Sequence, residues 1–130
     1  MPPASATNHY LQTQVRSSQP LELVVLLYDA ALRSLGSARE AFVRRDIPAR
    51  RAALSRVFAI IAELQNTLDM DRGGSVAIEL DQLYTWMTSQ LVQATVEQNA
   101  RPIDEVRRVL EILRSAWSQI ATGPAPEPVS

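Results

Sequence analysis

Few residues in this chain have both the chemistry and the neighbours that a reactive site needs. His9 is the only histidine among 130 residues, and a metal centre needs several convergent donors, so it reads as a solvated side chain. Asp69, Asp71 and Glu63 gather beside a Gly-Gly pair, but without the oxygen-ligand spacing of a calcium loop they read as a solvated helix end. Arg44, Arg45, Arg50, Arg51 and Arg56 form a basic cluster suited to phosphate or to an acidic partner surface. No aromatic residues interleave with them, so the preferred reading is a solvated corner paired with Glu40 and Asp46. Absence of cysteine removes thiol catalysis, disulfides and thiolate metal sites. Nothing pairs a nucleophile with its base or sets two carboxylates for acid/base work, so the chain is expected to be no enzyme and to carry no cofactor and no metal.

Composition sets the frame for what remains. With 46% hydrophobic residues the chain is long enough for one core and too short for two. Thirteen basic and 14 acidic side chains leave a net charge of -1, which gives no electrostatic case for nucleic acid or an anionic membrane. The first 19 residues lack the basic start and apolar core of a signal peptide. No apolar run approaches the ~20 residues of a membrane span, so no membrane insertion and a cytoplasmic location are expected.

Helical periodicity dominates the middle of the chain. Val24, Tyr28, Ala31, Leu35, Ala38 and Phe42 recur at spacings of three and four, the mark of one core-facing stripe. Ala53, Val57, Ile61, Leu64 and Leu68 form a second stripe, with Asp46 as N-cap ahead of Pro48. A third runs through Ala77, Leu80, Tyr84, Met87, Leu91 and Ala94, and a fourth through Val106, Leu110, Leu113, Trp117 and Ile120. The predicted helices span 20–44, 47–69, 75–98 and 102–121, between an N-terminal arm (1–19) and a disordered tail (122–130). Short links force sequential helices antiparallel, and Gly73 and Gly74 are expected to make the reversal between the second and third. The expected fold is all-α, an antiparallel up-down four-helix bundle with a mobile arm, its helices matched at about 24 residues or roughly 36 Å.

One feature exceeds what such a core needs. Leu23, Val24, Val25, Leu26, Leu27 and Tyr28 follow one another without a polar break and project on all sides of the first helix. Leu83, Trp86 and Ile78 widen the apolar face of the third. Surplus of this kind needs a cover outside the bundle, either a partner or a second copy.

The stretches "HYLQTQVRSSQPLELVVLLYDAALRSLGSA", "ALSRVFAIIAELQNTLDMDRGGSVAIELDQLYTWM" and "VRRVLEILRSAWSQI" resemble, in order, the flagellar secretion chaperones of the FliS family, over about residues 10 to 120. The resemblance implies a cytoplasmic chaperone of flagellar type III secretion that binds the C-terminal segment of flagellin, prevents premature polymerisation and delivers it to the export apparatus. It further implies that Tyr10 matches the Tyr of the family's arm, which can lie over part of the client groove and is implicated in contacts with the export gate. Client grooves are then expected to draw on Leu23, Leu26, Leu27, Leu80, Leu83 and Met87, and regulation on Tyr10 and Leu11. The same spacing permits each groove residue to be ordinary core, and that alternative stays open. A self-associating adaptor bundle without a flagellin client is the alternative function.

Overall fold

Two aspartates start helices, and their placement explains much of the architecture. Asp46 caps α2 (Ile47–Asn66), its carboxylate accepting the Ala49 N–H at 3.1 Å, with Pro48 in the first turn where no amide is missed. Asp69 caps α3 (Met70–Glu97), accepting from the Asp71 and Arg72 amides. The other helices are α1 (Pro20–Arg44) and α4 (Arg101–Thr122). The computed structural model describes residues 20–122 and the side chains of 21–120. Those described residues are all-helical, and none of their helices is long and apolar enough to cross a membrane.

Each helix packs on two neighbours: α1 and α3 occupy opposite corners, each lying against both α2 and α4. Cross-helix pairs record the antiparallel course. Asp29 and Arg39 of α1 pair with Arg114 and Asp104 of α4, so an early position on one helix meets a late position on the other. Phe42 lies against Arg50, and Ser34 accepts from Arg56, across α1 and α2 in the same sense. The core contains Tyr28, Leu35, Ile61, Leu64, Met87, Leu91, Ile103 and Leu110, all at 0% exposure. Ala31, Ala38, Ala53 and Ala94 let the helix backbones approach between these larger side chains.

Three expectations change. The reversal between α2 and α3 begins before the glycines: the Asp69 carboxylate satisfies the first amides of a single turn starting at Met70, and Gly74, at non-helical φ and ψ, then kinks the chain into the long part of α3. The helices are also unequal: α2 has 20 residues, and the 28 of α3 include the single turn before its break at Gly74. Ile120, placed on the core stripe of α4, is 60% exposed, because that stripe leaves the bundle after Trp117.

α1 and α3 end without glycine. Arg45 (φ 58°) and Gln98 (φ 53°) take left-handed conformations, and the amides of Asp46 and Asn99 reach back to the Ala41 and Ala94 carbonyls at 2.9 and 3.0 Å. These six-residue closures satisfy carbonyls that the last helical turn leaves open.

Gly74 interrupts α3 one turn after its start, at φ 53° and ψ -131°, a region that side chains with a Cβ avoid. Gly74→Ala is therefore expected to cost about 1–3 kcal/mol. Gly36 lies mid-helix, and a Cβ added there would meet nothing within 4 Å. Its change to Ala is expected to gain about 0.4–1 kcal/mol. Urea midpoints of the two variants should move in opposite directions.

Candidate functional site

The early stop of α2 and the break at Gly74 leave one end of the bundle incompletely closed. A cleft of about 400 Å³ opens there between the starts of α1 and α3 and the ends of α2 and α4. Leu21 and Val24 of α1, Leu68 beyond α2, Val76, Ala77 and Leu80 of α3, and Trp117 of α4 give it apolar walls. Its polar rim includes Thr67, Asp69 and Arg72, the last two 3.8 Å apart and exposed. α1 begins at this same end, since Leu21 lies in the cleft wall. Such a surface suits an apolar segment with a few polar anchors and provides no group for bond-making chemistry.

Below the cleft a buried polar chain ties three helices together. The Tyr28 and Tyr84 hydroxyls meet at 2.5 Å, and the Trp117 indole N–H donates to the Tyr28 oxygen at 2.9 Å. Tyr28 and Tyr84 come from opposite corners of the bundle, so their length bridges a diagonal that the backbones do not. Burial raises both hydroxyls above their ordinary 10.0; on Tyr28 the hydrogen bonds with Tyr84 and Trp117 work against that rise, whereas the bond to Tyr28 adds to it on Tyr84. Below pH 10 the hydroxyls are protonated in both folded and unfolded chains, and their contribution is intact. As pH rises further the unfolded chain releases protons that the folded chain keeps, so stability falls. The urea midpoint should drop above pH 10, and Tyr84→Phe should lessen the drop while costing about 1 kcal/mol at neutral pH.

Residues 3–124 match the family described as flagellar protein FliS. The chain belongs to the FliS family. FliS proteins named as flagellar secretion chaperones resemble it along most of their length. The one from Campylobacter jejuni is 38% identical over 115 residues, covering 88% of this chain and 90% of its own. That of Salmonella typhimurium is 35% identical over 112 residues, 85% and 83% of the two chains. FliSB of Pseudomonas aeruginosa is 34% identical over 111 residues, 85% and 88% of the two. FliS membership makes this a chain of chaperone type with a role in flagellar secretion, and not an enzyme.

Against this FliS frame the residues expected from the sequence separate into groups. Leu23 and Leu26 are exposed at 43% and 63%. Leu27, Leu80 and Leu83 are half-buried against the core, and of these only Leu80 lines the cleft. Met87 presents no surface; it is wholly buried, and its side chain belongs to the bundle interior. Tyr10 and Leu11, like His9, lie outside the described residues.

Other parts of the cleft were not singled out by sequence reasoning. Leu21 and Val76 carry no motif and Leu68 has the spacing of the second core stripe, and their meeting depends on where α2 stops. Trp117 and Tyr84 have core spacing, which hides their second role as cleft wall.

The acidic trio holds no metal-ligand group among the described residues, and Asp69 is engaged as a cap. Arginine pairing also differs from expectation. No ion pair joins the 44–56 cluster to Glu40 or Asp46 among the described residues, and Asp46 caps α2.

Proposed function

We propose that this chain is a cytoplasmic export chaperone that binds the C-terminal segment of flagellin, keeps it from polymerising early and delivers it to the flagellar type III export apparatus. One observation carries the reading. Val24 and Leu27 pack the front of α1 on the core, yet Leu23 and Leu26 stay exposed there, next to a cleft with apolar walls. Ile78 and Val76 extend exposed apolar surface along α3 at 49% and 58%. A client that is disordered when free must offset its ordering cost by apolar burial along a groove. Covering about 1,000 Å² at roughly 25 cal/mol per Å² supplies about 25 kcal/mol before those costs, enough for tight net binding.

Leu23, Leu26, Leu27, Leu80 and Leu83 are the contact residues of this reading. Met87 enters only as support for the helix that presents Leu80 and Leu83. The arm, through Tyr10 and Leu11, acts as a switch: a bound client displaces it from the groove, and the displaced arm is then readable by a component of the export gate.

Calorimetric titration of the full chain with the C-terminal segment of its organism's flagellin, followed by circular dichroism of the mixture, tests the proposal. Saturable one-to-one binding with a gain in helicity supports it. Absence of binding, together with a tight dimer in light scattering, overturns it in favour of a self-associating bundle.

A further inference from the structure

The end of the bundle remote from the cleft contains a buried cation with no anion. Arg50, one turn into α2, is 7% exposed, and its guanidinium lies 4.5 Å from the centre of the Phe42 ring. Its Nε–H finds no acceptor among the described residues. Arg50 lines a cavity of about 420 Å³ together with Phe42, Arg45, Ile47 and Gln98, a wall with two guanidinium groups and no carboxylate.

Nearby acceptors are engaged elsewhere. Asp46 accepts from the Ala49 amide, and Glu97 accepts from Gln93. The Ala41 and Ala94 carbonyls, at the helix ends that form the walls, accept from the Asp46 and Asn99 amides. The ring face and the negative ends of α1 and α3 favour a positive charge here, which accounts for an arginine being tolerated. Neither satisfies an in-plane N–H donor.

We infer that this cavity is an oxyanion site in which Arg50 offers its Nε–H and a neighbouring Nη–H side by side to two oxygens of one carboxylate or phosphate group, with Arg45 adding charge at the mouth. The carboxylate comes from an acidic side chain of a bound polypeptide; the phosphate source is the free inorganic ion. This site lies at the other end of the bundle from the apolar cleft and stands independently of the client reading.

The test uses the full chain with nitrogen-15-labelled arginine, observing the Arg50 Nε–Hε resonance at constant ionic strength. One titration uses inorganic phosphate and the other glutamate blocked at both backbone ends. A saturable shift with the blocked glutamate assigns the site to an acidic side chain, and a shift with phosphate alone assigns it to the free ion. Arg45→Gln, which removes the charge at the mouth and keeps the Arg50 reporter, should weaken either response by roughly threefold. Gln98→Glu tests the site with Arg50 intact, since it supplies a carboxylate from the cavity wall. It should raise the thermal midpoint and abolish the response. Silence in both titrations overturns the site, as does a response undiminished in both variants.

Discussion

Leu26→Asp is expected to abolish binding of the flagellin C-terminal segment while leaving the bundle folded. Leu26 is 63% exposed on the front of α1, so the folded chain loses little packing when it is replaced. An added like charge one turn from Glu22 costs only about 0.2–0.5 kcal/mol, and exposed substitutions generally stay within about 0.5 kcal/mol. In the complex the same change removes a buried leucine, worth about 1.5–3 kcal/mol, and forces a carboxylate into an apolar contact without a partner. At 1.4 kcal/mol per tenfold, affinity should fall roughly 100-fold or more. Calorimetry measures the loss, and far-UV circular dichroism with thermal melting checks the fold. Unchanged affinity would remove Leu26, and with it the front of α1, from the client surface. Leu83→Asp is a poorer probe, because Leu83 packs partly against the core and its replacement disturbs folding as well.

Met87→Ala is expected to do the reverse. Met87 is 0% exposed within the main core cluster, so truncation removes apolar burial and leaves a cavity that the surrounding helices fill only in part. The cost should be about 2–5 kcal/mol, read from urea denaturation. For a domain of this size that lowers the thermal midpoint by about 10 °C or more. Client affinity, measured well below the melting range, should change by no more than a few-fold. A stable variant that fails to bind would show instead that the bundle opens to present Met87.

These two residues mark the limit of what was legible in the sequence. Leu26 and Met87 are both apolar residues on strongly periodic helices; spacing set Met87 on the core stripe and Leu26 off it, and the family resemblance put both among the groove candidates. The stripes through Tyr28, Leu35 and Leu91 indicated the inward faces correctly, and "DIP" signalled a helix start that Asp46 in fact caps. Asp69 carries the same capping chemistry and starts a turn that the glycine pair hid, while Gly74 breaks the helix where the sequence placed the reversal.

What the sequence determined by itself was the all-α class, the inward faces and the surplus of apolar residues, because these follow from contacts among residues three or four positions apart. Family membership also rests on the linear order of short stretches spread along the chain. Tertiary structure decided everything that depends on where helices end relative to one another. The cleft exists because α2 stops short beside a kinked α3. Tyr28 meets Tyr84 because two corners of a square face each other across 56 residues of chain. Arg50 is buried because α1 and α3 terminate around it. None of these meetings leaves a local periodic trace: a side chain's neighbours across the bundle are set by the lengths and offsets of whole helices, not by the residues beside it.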